Sequence, residues 1–88
     1  MKVNAIRCKK CGDIIYSRSH HDFHWCSCES CAIDGGFDYI KITGNPSDWE
    51  NIEVNILDDK SDDEVKMILL DDWNYGKNKY GIIKEKSR

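Results

Sequence analysis

All five cysteines and all three histidines of this 88-residue chain stand between positions 8 and 31. The run begins Cys8-Lys9-Lys10-Cys11-Gly12 and ends Cys26-Ser27-Cys28-Glu29-Ser30-Cys31. A Cys-x-x-Cys turn offers two sulfurs at the separation a tetrahedral ion requires, and a second pair must arrive from elsewhere in the chain. Cys8 and Cys11 fit the first half. For the second half, Cys26, Cys28 and Cys31 allow three pairings, and spacing alone slightly favours Cys28 with Cys31. Four protein sulfurs fill a tetrahedron and leave no position for water, so the expected Zn2+ is scaffold rather than catalyst. Five is also odd: disulfides would strand one thiol, whereas four ligands and a spare is an ordinary count for a metal site in a reducing compartment.

His20, His21 and His24 surround Asp22. Neighbours on a strand point to opposite faces, so His21 and Asp22 are not expected to converge as a catalytic pair. His21 instead reads as support for a turn or as a donor to a sulfur or carbonyl. With neither an open metal position nor a nucleophile-base pair, the chain reads as non-enzymatic. Asp34-Gly35-Gly36 reads as a hairpin turn whose amides could also cradle a nucleotide-like anion. Tyr39 and other nearby aromatic rings could stack on such a ligand.

Charge is unevenly spread. Residues 45–75 carry ten acidic residues against two lysines, a local charge of −8, while residues 76–88 carry +4. Four thiolates around Zn2+ would move the formal total from −3 to −5. That balance opposes duplex binding, which needs basic stripes to displace counterions, although Lys9, Lys10 and the basic tail keep a nucleic-acid reading open. An acidic stretch suits a basic protein surface better. Trp49, Glu50, Asp58 and Asp59 are its candidate contact residues, against the blander reading of a solvated loop and one core tryptophan.

These groups need elements to position them. Val3 to Arg7 reads as a strand entering the first knuckle. Asp13 to Tyr16 and His21 to Trp25 are expected to pair as a hairpin that brings the two cysteine groups together. A third strand is expected over 37–42, and Pro46 opens a loop or single helical turn near Ser47. A fourth strand spans 52–57. Ser61-Asp62-Asp63-Glu64 has the form of a capping box, so a helix starts there with Val65, Ile68, Leu69 and Trp73 on its apolar face, Asp72 interrupting, and Gly76 ending it. Residues 80–83 form a last short strand, and the tail frays. The expected fold class is α+β: zinc-ribbon-like antiparallel hairpins, about four strands, with one C-terminal helix packed on the sheet.

The chain reads as one domain, a cysteine-bearing half over 1–44 and an acidic loop, strand, helix and basic tail over 45–88. So short a chain buries only about 60% of its unfolded surface, so a staple is expected. The first ten residues hold no apolar stretch of signal-peptide length, and no segment approaches about 18 apolar residues, so a cytoplasmic chain without a membrane span is expected.

The ordered run Cys8-x-x-Cys11-Gly12-Asp13, His21-Asp22-Phe23, Cys26-x-Cys28, Asp34-Gly35-Gly36 and Tyr39 resembles a family of short, largely uncharacterised bacteriophage and prophage proteins, itself similar to a zinc ribbon. The resemblance covers about residues 6–44. It implies Cys26 and Cys28 as the second ligand pair, with Cys31 as a spare thiol or alternative ligand. Members often carry arginines after the tyrosine, where this chain has Ile40-Lys41-Ile42. Taken with the acidic stretch 45–75, it makes the expected role that of a phage- or prophage-encoded binding protein acting on a host or defence protein, with a homo-oligomer open.

Overall fold

The computed structural model describes residues 1–19, 22–35 and 40–84. Strand β1 (Lys2–Cys8) is the spine of the fold, because its alternation serves two interiors at once. Val3 and Ala5 enter one apolar cluster with Ile14, Tyr16, Ile56, Val65 and Leu69. Ile6 and Cys8, pointing the other way, enter a second with Ile15, Cys26, Cys31 and Ile33. A strand with both faces covered must be central. It pairs along its whole length with β6 (Trp49–Asn55), and on its other edge with β2 (Ile14–Ile15). β7 (Ile82–Ile83) pairs with β2, giving an antiparallel sheet in the order β6-β1-β2-β7. A second antiparallel sheet, β3-β4-β5, is built from His24–Trp25, Cys31–Gly35 and Ile40–Gly44.

Helix α1 (Asp62–Asn74) begins where the capping box places it. The Ser61 hydroxyl accepts from the Glu64 backbone N–H, and the Glu64 carboxylate accepts in return from the Ser61 N–H, both at 3.3 Å. Asp62, Asp63 and Glu64 face the positive end of the helix dipole. Val65 and Leu69 are fully buried in the first cluster, each contributing roughly 1.5–3 kcal/mol of transfer free energy. Beyond the Tyr75 cap, Gly76 takes a left-handed φ of 63°. The fold class is α+β, with a 3-10 turn over Pro46–Asp48 where the loop was expected.

Two sequence-based expectations are corrected. β2 and β3 do not form a hairpin: β2 is flanked by β1 and β7, and β3 pairs with β4. The cause is burial, since Ile14 and Ile15 are 5% and 0% exposed and need cover on both faces. Strand β4 was not foreseen, because Cys31-Ala32-Ile33 is buried throughout and shows no alternation. The second correction concerns Asp72, which does not interrupt the helix's buried face but belongs to it. It is 2% exposed, and its carboxylate accepts from Arg18 Nη1 at 2.6 Å and from the Lys79 and Tyr80 N–H groups. Arg18, itself buried, also donates to Asp22 at 2.7 Å, and the His24 ring bridges Asp22 (3.1 Å) and the Gly81 carbonyl (3.0 Å). This network ties the segment between β2 and β3 to the end of α1 and the approach to β7. Ser17, Arg18 and Ser19 in that segment are all buried.

Candidate metal centre

Four of the five sulfurs converge. Cys8 ends β1, Cys11 follows in a tight turn, and Cys26 and Cys28 come from the turn between β3 and β4. Their Sγ atoms all lie within 4.8 Å of one another, with Cys8 to Cys28 and Cys26 to Cys28 both 3.6 Å. An ion bound at about 2.3 Å by four sulfurs sets them about 3.8 Å apart, so the donor set fits a tetrahedral metal. An S4 set suits zinc or iron. Cys31 is fully buried beneath the cluster, 3.8 Å from the Cys26 sulfur, and is not one of the four.

The backbone explains the convergence. In the first turn the Gly12 N–H donates to the Cys8 carbonyl at 2.9 Å, with Gly12 at φ 81°, and the Cys8 N–H donates to the Asp13 carbonyl at 2.8 Å. In the second, the Cys26 N–H donates to the Cys31 carbonyl at 3.0 Å and the Glu29 N–H to that of Cys26 at 3.0 Å. The two turns are joined by Asp13, a residue within the sequence motif to which sequence reasoning assigned no role. Its buried carboxylate accepts from the Ser27 N–H at 2.8 Å and from Lys84 Nζ at 3.3 Å, and Lys84 also bonds the Ser27 hydroxyl. Burial alone would raise the Asp13 carboxyl, but Ser27 and Lys84 outweigh it and hold it below its usual range.

The sulfurs are not electrostatically equivalent. Burial pushes Cys26 up, yet the N–H groups of Cys31 and Ser30 and the neighbouring thiols outweigh it and bring Cys26 down to about 6. Cys28, the exposed member, is lowered chiefly by the Ser30 hydroxyl. Burial pushes Cys11 up to about 12. It also raises Cys31, with the Cys26 sulfur adding to the effect.

Gly44, at the end of β5, is a further supporting position that the sequence did not signal. It lies opposite Cys31 at φ 131°, and a Cβ there would sit 2.6 Å from the Ser30 carbonyl oxygen and 3.1 Å from the Cys31 Cα. Both obstacles are backbone and cannot swing aside. Gly44→Ala is therefore expected to cost about 2–4 kcal/mol and to weaken metal retention, because it displaces the backbone whose amides face Cys26. Chemical denaturation and competition against a chromophoric chelator measure the two effects.

The remaining candidate residues fall in separate places. His21, Gly36 and Tyr39 lie outside the described residues. Asp34 Oδ1 accepts from the Gly35 N–H at 2.8 Å, so a carboxylate already occupies one amide of the proposed anion turn. Trp49 is half-buried against the second cluster, opposite Cys8 in register. Glu50 pairs with Arg7 at 3.2 Å, and Asp58 and Asp59 are exposed beyond the other end of β6. Lys10 meets Asp48 at 3.6 Å, which offsets the basic charge of the first turn. Among the described residues, no helix is long and apolar enough to cross a membrane.

Residues 1–44 match the family model of a domain of unknown function, DUF7695, which takes in β1 to β5 and all five cysteines. No curated protein and no solved structure matches the chain.

Proposed function

The chain belongs to that family of unknown function, so its role rests on the site itself, and we propose a zinc-stapled binding protein. In this reading Cys8, Cys11, Cys26 and Cys28 hold a structural Zn2+, and the acidic stretch 45–75 meets a basic protein surface. The convergence of four sulfurs from two turns carries the first half of the reading, because an ion held by all four has no position left for water or substrate. When bound, zinc would supply cross-linking between the turns. Asp13 and the turn amides orient the ligands, and Gly44 admits the strand that backs them.

The second half is supported by exposure. Asp58, Asp59, Asp62 and Asp63 are all solvent-facing, around the loop that leads into α1. A phage- or prophage-encoded chain acting on a host or defence protein would use such a surface to speed encounter and to compete with nucleic acid. The paired Lys10 and the occupied Gly35 amide give less support to nucleic-acid or anion binding.

The test is capture from bacterial lysate by the metal-loaded chain. A partner is expected that is retained at low salt, released at high salt, and lost severalfold when Asp58, Asp59, Asp62 and Asp63 are changed together to Asn. Capture indifferent to both salt and these changes would overturn the acidic-surface reading.

A further inference from the structure

β6 is an edge strand among the described residues, seven residues long, with no proline and no bulge against β1. Which of its backbone groups face outward follows from the ends of the ladder. The Met1 amine donates to the Ile56 carbonyl at 3.0 Å and the Ile56 N–H donates to the Met1 carbonyl at 2.9 Å; at the other end the Lys9 N–H donates to the Asp48 carbonyl at 2.7 Å. Even-numbered residues of this strand therefore bond β1, and the N–H and C=O groups of Trp49, Asn51, Glu53 and Asn55 point away from the sheet. Native proteins usually blunt such an edge.

We propose that this edge is an interface with a second copy of the chain, paired antiparallel about a two-fold axis at Ile52. The four outward residues are symmetric about Ile52, so this register sets Trp49 opposite Asn55 of the second copy and Asn51 opposite Glu53 of the second copy. Every outward N–H and C=O then finds a partner. Side-chain placement agrees. Glu50 falls opposite Val54 and Glu53 opposite Asn51, so no like charges stand directly opposite each other. A register shifted one way stacks Glu53 on itself, and one shifted the other way leaves outward groups of Asn55 unpaired. At the axis Ile52 meets Ile52, a non-hydrogen-bonded pair where side chains approach most closely. Ile52 and Val54 are half-buried at the margin of the first apolar cluster, so the pairing carries that cluster across the axis.

Asn51 is exposed and its N–H takes no part in the β1 ladder, so substitutions there test the interface without disturbing the sheet. Metal-loaded wild-type chain is expected to show a mean mass rising with concentration toward twice that of one chain in sedimentation equilibrium. Asn51→Lys, set opposite Glu53, is expected to tighten association about 2- to 30-fold, and Asn51→Glu to weaken it by a similar factor, since two such cross-strand pairs form per dimer. Amide hydrogen exchange gives a second readout. Asn51, Glu53 and Asn55 are expected to be slow when concentrated and fast when dilute, while Ile52 and Val54 stay slow in both. A chain monomeric throughout, association indifferent to both substitutions, or outward amides whose exchange ignores concentration would each overturn the proposal.

Discussion

Cys28→Ser is expected to lose the metal and with it the fold, whereas Cys31→Ser is expected to keep both. The two residues separate packing from ligation cleanly. Cys28 is exposed and contributes nothing to either apolar cluster, so any collapse on its replacement must run through the metal. Cys31 is the reverse case: fully buried in the second cluster, but outside the set of four converging sulfurs. Placing a hydroxyl there costs about 1–3 kcal/mol of unpaired polar burial and leaves the ligands alone. Apparent zinc free energies in small domains are about 10–16 kcal/mol, as large as the roughly 5–15 kcal/mol stability of a whole domain. A chain without its ion, whether through Cys28→Ser or through exhaustive chelation, should therefore lose its cooperative melt. Native mass spectrometry for stoichiometric zinc and a thermal melt decide the matter. Metal retained in Cys28→Ser and lost in Cys31→Ser would reverse the ligand assignment.

What the residues disclosed beforehand, and what they did not, divides along the range of the interactions. The capping box at Ser61 and Glu64, the helix it starts and the turn at Pro46 depend on near neighbours, and each lies where local chemistry places it. The proximity of the two cysteine turns also holds, though not by the expected route, since the hairpin assumed to join them is replaced by β1, β2 and β4 converging on one apolar cluster. β4 was hidden because a strand buried on both faces loses the alternation that marks a strand. Asp13, Gly44 and Lys84 escaped notice for another reason. Their partners are 13 to 71 residues away, and nothing local to a lone Asp, Gly or Lys records a contact at that distance.

Asp72 is the clearest such case, and it carries the second large prediction: Arg18→Met is expected to destabilise the metal-loaded chain by about 3–5 kcal/mol. Arg18 holds two buried carboxylates, Asp22 and Asp72, 1% and 2% exposed, so its removal takes the guanidinium from both and leaves Asp22 the His24 ring and Asp72 the Lys79 and Tyr80 N–H groups. At roughly 4–8 °C per kcal/mol for a domain of this size, the melting temperature should fall by more than 10 °C. Changing Asp22 and Asp72 to Asn in the same chain should recover part of the loss, because the cost lies in the unpaired charges rather than in the missing guanidinium; a triple variant as unstable as the sum of its parts would contradict this. Acid makes the same point without mutation. Burial pushes both carboxyls up, but His24 and Arg18 at Asp22, and the Lys79 and Tyr80 amides with Arg18 at Asp72, outweigh it and hold both below the usual carboxylate range. A carboxyl depressed in the folded state stabilises above its unfolded value of about 3.9, and that stability drains away as the pH falls below it. Stability measured by denaturation should therefore decline from about pH 5 downward in the wild type, and the decline should be shallower in the triple variant, whose buried network no longer has carboxylates to protonate.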